Sequence, residues 1–240
     1  MSVQACCFCF PWLETLLLLL HPKFHVSIFN SRHLAECHLF KQGALPLENM
    51  EDVRISCTVI KDIIYARDEK EVALCIKELN APSFYPSMIS NWVADSFERK
   101  DTERDLLTKL LIGLMKTRDG MISKDQLIKG FEDVLTTLED AVNDAPRAAE
   151  FLGRIFAKVI MENVISLSEV GWLISEGGEE QGHLVEIGLA AEVLGTILET
   201  IKSEKGDSVL TQIRSSSNLR LENFRPPPGS KKSWRLDKFT

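Results

Sequence analysis

Between Ala148 and Ile160 the apolar residues fall at Ala148, Phe151, Leu152, Ile155, Phe156, Val159 and Ile160. That spacing puts them on one face of an α-helix, and such a face must be buried against another element. The pattern recurs along the chain. Val53, Val59, Ile60, Ile63 and Ile64 carry it first, then Val72, Cys75, Ile76 and Leu79. It continues through Ile89, Trp92, Val93 and Phe97, through Leu106 to Leu114, and through Leu127, Phe131, Val134, Leu135 and Leu138. A short set at Val170, Leu173 and Ile174 precedes a long one at Leu184, Ile187, Ala191, Leu194, Leu198 and Ile201. No segment shows sustained strand alternation with hairpin turns. The chain is therefore expected to be all-α, with short-looped helices packed as antiparallel neighbours in a bundle or a helical solenoid.

Local signals mark the boundaries. Asp68 with Glu71 and Ser123 with Gln126 have capping-box spacing, and Ser168 is expected to cap the short helix. Asn80-Ala81-Pro82, Arg118-Asp119-Gly120 and Gly177-Gly178 read as stops or turns, and Pro86 and Pro146 suit first turns. Asp144 is expected to be the N-cap of the helix that begins near Ala148. Gly188 and Gly195 lie on a stripe beside the apolar face of the last long helix, which predicts close packing against an adjacent helix.

Of the 240 residues, 45% are hydrophobic and 26% charged, with a net charge of −7. Residues 51–205 hold 29 Asp/Glu against 18 Lys/Arg, whereas residues 206–240 hold seven Lys/Arg against three Asp/Glu. An acidic body disfavours general binding of a phosphate backbone and favours a basic protein partner. The basic tail, with Trp234 and Phe239, is expected to be loosely held and open to mRNA or a partner. Trp92 and Trp172 read as core or groove-lining residues, and Arg147 as one end of a helix-terminal ion pair.

The N-terminus differs from the rest. Leu16 to Leu20 is too short to span a bilayer, and no basic residue precedes it as in a signal peptide. Cys6, Cys7, Cys9, Cys37, Cys57 and Cys75 all lie in the first 75 residues, with a spacing that fits no common zinc pattern even with His33 and His38 included. Cys57 and Cys75 read as small core residues, and a reduced, cytoplasmic protein is the simplest account. There is no nucleophile with its base, no paired-His metal site and no phosphate loop, so no catalytic residue, cofactor or metal is expected. Neither a membrane nor a small-molecule substrate is expected as a partner.

Five stretches taken together resemble a known family: RDEKEVALCIKELNAPSFYP, DSFERKDTERDLLTKLL, LIKGFEDVL, DAPRAAEFLGRIFAKVIMENVI and SSSNLRLENFRPP. They look like the MA-3 domain of plant eukaryotic translation initiation factor 4G, a domain that also occurs in programmed cell death protein 4. The likeness covers about residues 48–225. It implies a HEAT-like stack of antiparallel helical hairpins. It also implies binding to the DEAD-box RNA helicase initiation factor 4A, in which acids near hairpin loops meet basic residues of the helicase. Carried onto this sequence, those acids are Glu98, Asp140 and Asp144.

The expected organisation is an atypical N-terminal extension outside the domain (1–46), the MA-3 body (47–205), and a short helix with a basic flexible tail (206–240). The chain would then be a C-terminal fragment, a truncated paralogue or a partial gene product. The expected function is that of a translation-initiation adaptor that binds the helicase and modulates it. The alternatives are an inhibitor that sequesters the same helicase, or an RNA-binding element acting through the tail.

Overall fold

The computed structural model describes residues 69–117, 120–228 and 234–240, all within one unit, Asn49–Thr240. Helix α1 (Glu69–Leu79) buries Val72, Cys75 and Ile76. Asn80 ends it in the left-handed conformation, φ 42°, which Asn tolerates better than most side-chain-bearing residues. One 3₁₀ turn, Pro82–Phe84, leads into α2 (Tyr85–Ser96), with Pro86 in the first turn, where a missing amide donor costs nothing. The Tyr85 hydroxyl donates to the Ile76 carbonyl at 3.1 Å and ties the two helices together.

Helices α3 (Asp101–Lys116) and α4 (Lys124–Thr136) follow. The expected capping box opens α4: Ser123 Oγ accepts from the Gln126 amide at 3.2 Å, and Gln126 Oε1 accepts from the Ser123 amide at 2.8 Å. Gln126 Nε2 also donates to the Pro82 carbonyl at 2.7 Å, so one side chain both starts α4 and fixes the entry to α2. Helix α4 lies hard against α2. A Cβ on Gly130 would stand 2.8 Å from Ile89 Cβ and 3.0 Å from the Pro86 carbonyl. Only a glycine permits that approach.

The second half repeats the device. It comprises α5 (Leu138–Asp144), α6 (Ala148–Met161), α7 (Leu167–Glu176), α8 (His183–Glu186), α9 (Leu189–Lys205) and α10 (Asp207–Ser217). Helix α6 lies against α9, where a Cβ on Gly153 would meet Thr196 Cβ at 2.7 Å and the Val193 carbonyl at 2.8 Å. The two halves share a core. Phe131 of α4 meets Phe156 of α6 edge-on at 4.8 Å between ring centres, a favourable aromatic arrangement, and Trp92, Leu127, Leu152, Val193 and Leu198 are also buried. The result is the expected all-α, HEAT-like stack of antiparallel helical hairpins, with no strand among the described residues.

Several boundaries differ from expectation. The continuous helix expected from Leu184 to Ile201 is broken: α8 ends at Glu186, and Gly188, at φ 82°, is the N-cap of α9. The helix expected through Leu138 likewise ends at Thr136, and Leu138 opens α5. Ser166, not Ser168, caps α7: its hydroxyl accepts from the Glu169 amide at 3.2 Å, and Glu169 Oε2 accepts from the Ser166 amide at 3.0 Å. Trp92 is core, but Trp172 is 57% exposed on α7.

The C-terminal residues differ most. A 3₁₀ turn at Leu221–Phe224 and another at Leu236–Lys238 bury Leu221, Phe224 and Leu236, where a loose tail is expected from the local composition. Gly195 packs against this segment rather than against an adjacent helix. A Cβ there would stand 2.7 Å from the Leu236 amide nitrogen and 2.8 Å from Arg235 Cβ. Cys75 is buried, as expected of a small core residue. Cys57, Asp68 and the Cys6-Cys7-Phe8-Cys9 cluster lie outside the described residues.

Candidate partner-binding face

Glu98 stands in the turn between α2 and α3, exposed to solvent. The turn is held from below by Arg104. This buried guanidinium donates to the Ser96 carbonyl at 3.2 Å and to the Arg99 carbonyl, which satisfies acceptors left open where α2 ends. It also pairs with Asp101 and lies 3.5 Å from the centre of the Phe151 ring. The Arg104 hydrogen bond, with the charges of Arg154 and Arg147, holds the Asp101 carboxyl below its usual range.

Asp140 and Asp144 sit on α5, four residues apart and hence on one helix face. Both are exposed. Asp144 is the last residue of α5 and does not cap α6, whose N-cap is Arg147 with no side-chain cap bond. The Ala145 and Ala148 amides instead close the turn onto the Ala141 and Ala145 carbonyls, each at 2.8 Å.

Arg147 anchors that turn as the expected helix-end pair. Its Nε and Nη2 donate to Glu150 Oε2 and Oε1 at 3.1 and 2.7 Å, a two-pronged match of guanidinium and carboxylate. Glu150 is buried, and it also accepts from Arg154 at 2.5 Å and Arg235 at 3.1 Å. The Arg147 hydrogen bonds outweigh burial and, with the charges of Arg154 and Arg235, hold the Glu150 carboxyl below its ordinary value. Arg147 lies 5.0 Å from the Phe151 ring centre. The α2–α3 turn that presents Glu98 and the α5–α6 turn that follows Asp140 and Asp144 are therefore linked at one aromatic ring, with Arg104 reaching it from α3 and Arg147 from the α5–α6 turn.

Glu98, Asp140 and Asp144 form no ion pair among the described residues. Their neighbour Glu139 differs: it binds His183 Nε2 at 2.8 Å, which raises the His183 pKa and ties α8 to α5. The support beneath the acids was partly open to sequence reasoning, because Arg147, Glu150 and Arg154 have the i,i+3 and i,i+4 spacing of helical ion pairs. The stacking of Arg104 on Phe151 and the reach of Arg235 to Glu150 had no local signal. Four of the tail's cations are engaged with the body or with each other's neighbours: Arg214 with the Phe239 carbonyl, Arg225 with Asp237, and Arg235 and Lys238 with Glu199. Among the described residues no His, Cys, Asp or Glu cluster could hold a metal ion, and no helix is long and apolar enough to cross a membrane.

A stacked-helix module with outward acids on braced turns is the class of protein these features define. Residues 54–166 match the MA3 domain family, so the chain contains an MA3 domain. It is 55% identical over 200 residues to eukaryotic translation initiation factor 4G of Arabidopsis thaliana, an alignment covering 83% of this chain and 11% of the relative. With initiation factor 4G of Triticum aestivum it shares 59% identity over 171 residues, 71% of this chain and 12% of the relative. The human eukaryotic translation initiation factor 4 gamma 3 is 25% identical over 185 residues, 77% of this chain and 11% of that protein. The chain thus spans about a tenth of the length of these curated relatives. The family match ends at Ser166, yet α6 inside it is paired with α9 beyond it.

Proposed function

We propose that this chain is a translation-initiation adaptor module that binds the DEAD-box RNA helicase initiation factor 4A in the cytoplasm and modulates its cycle, without catalysis of its own. Its working part is the body from about residue 47 to 205, with residues 1–46 outside it. Glu98, Asp140 and Asp144 meet Arg and Lys on the helicase. The observation that carries this reading is that the three carboxylates are solvated and without an ion pair among the described residues, one on the α2–α3 turn over Arg104 and two on the short helix α5 that leads into the turn held by Arg147. Charges placed this way steer association and fix orientation. The similarity to initiation factor 4G over most of the chain supports the translational setting. Engagement of Arg214, Arg225, Arg235 and Lys238 by the protein itself makes RNA contact through the tail the weaker reading.

The test is capture of initiation factor 4A by the wild-type chain and by Asp140→Lys/Asp144→Lys. The charge reversal is expected to slow association at least about tenfold, with a loss that shrinks as salt screens the pair. Equal capture by a folded double variant would falsify the proposed face. Dose-dependent repression of in vitro translation by the wild-type chain would favour sequestration over productive scaffolding.

A further inference from the structure

Arg235 lies near the end of the chain, far in sequence from Glu98, Asp140 and Asp144, yet two carboxylates accept hydrogen bonds from it and a third stands beside it as a charge pair without a hydrogen bond. Its Nη2 is 3.1 Å from Glu150 Oε2, its Nη1 2.9 Å from Glu199 Oε2, and its Nε 2.8 Å from Glu192 Oε1. Its side chain is only 20% exposed. Glu192 and Glu199 are seven residues apart on α9, so they lie on one helix face. Gly195 falls between them and has no side chain where the Arg235–Leu236 backbone crosses. Leu236 is buried beside the crossing, and Lys238 adds a second cation on Glu199. The ion-pair socket and the glycine gap are independent features, and both fit this one segment. The segment is also held at its far side, since Arg225 pairs with Asp237 at 3.1 Å and Arg214 donates to the Phe239 carbonyl at 3.1 Å.

We propose that Arg235 is a positioning residue for the acidic face: it bridges α9 to Glu150, and Glu150 in turn holds Arg147 and the α5–α6 turn that follows Asp140 and Asp144. The consequence for helicase docking rests on the function proposed above; the coupling itself does not. Without the guanidinium, Glu150 keeps Arg147 and Arg154 but loses its bridge to Glu199 of α9, so the α5–α6 turn is no longer fastened to α9 through this carboxylate. The C-terminal segment is then a strap of the domain, and its seating sets how firmly the acids are presented.

The experiment compares the full chain with Arg235→Ala and Arg235→Lys variants, reading amide hydrogen exchange across residues 138–152 and the association rate with initiation factor 4A. Exchange in that stretch is expected to rise at least about fivefold in the alanine variant, while distant amides of α2 and α4 keep their wild-type rates. Lysine, which supplies the charge without the fork, is expected to recover part of the protection. The association rate is expected to fall in the same order. Wild-type exchange across 138–152 in a folded alanine variant would overturn the proposal, whether or not the chain binds the helicase. Should the alanine variant fail to fold, the lysine variant decides alone: local loss of protection supports the coupling, and none rejects it. A wild-type chain that never captures the helicase would sink the proposed function but leave the exchange result to judge Arg235.

Discussion

Asp140 and Asp144 on one side and Glu150 on the other are close in sequence and opposite in circumstance. Glu150 is 7% exposed and accepts from three arginines, whereas the two aspartates are exposed and form no ion pair among the described residues. A neutralised, buried carboxylate fixes geometry and has no field left for a partner. A solvated one adds little to stability but stays available to an incoming cation. The first kind of acid holds in place the turn that follows the second.

The contrast can be broken most directly at Glu150. Glu150→Gln leaves three guanidinium groups short of their anion and is expected to lower stability by about 2 kcal/mol, less than for a fully buried pair because Arg147 and Arg154 are half exposed. The midpoint of urea unfolding reads this, and an unchanged midpoint would mean that Glu150 braces nothing. A middle case is Glu169, which combines the α7 capping box with a 2.7 Å pair to Lys124 and has its pKa lowered to about 2. Ser166→Ala is expected to cost about 1 kcal/mol through the lost cap. Because the folded pKa of Glu169 lies below its unfolded value, its contribution is present above about pH 4.5 and disappears as pH falls toward 2. Glu169→Gln should flatten that part of the stability–pH curve, and a curve identical to wild type there would remove Glu169 from the account. The smallest effect belongs to the exposed acids. Asp140→Asn/Asp144→Asn is expected to shift stability by no more than about 0.5 kcal/mol, and a larger loss would show that these residues serve the fold.

Much of this architecture was legible along the chain because helix formation leaves a local trace. The 3.6-residue apolar period found the helical segments, and Ser123 with Gln126 marked a true capping box. Where the period ran on across a break, it hid the break. Leu184, Ile187 and Ala191 keep helical spacing although Gly188 interrupts the backbone in a left-handed conformation. The place of Asp144 before Ala145-Pro146 suits a cap, but α5 extends to include it and leaves Arg147 at the cap position. The exposure of Trp172 and the seating of Arg235 depend on which distant helix lies opposite, and no local pattern records that. Glu98, Asp140 and Asp144 were named through family resemblance; what the fold adds is that Phe151 links the turn that presents Glu98 to the turn that follows Asp140 and Asp144.

Trp234 is 61% exposed, yet its ring lies 3.9 Å from Lys238 Nζ and 5.3 Å from the Arg235 guanidinium carbon. A cation over the indole face perturbs that ring only while the strap keeps both residues in register. The C-terminus therefore carries its own optical reporter: undocking would free the indole from its two cations and change its emission, while the sealed Trp92 and the solvent-facing Trp172 stay as they are. Because the chain has four tryptophans, the difference in emission between the wild type and a Trp234→Phe variant would isolate this indole and follow the latch in solution without any added label.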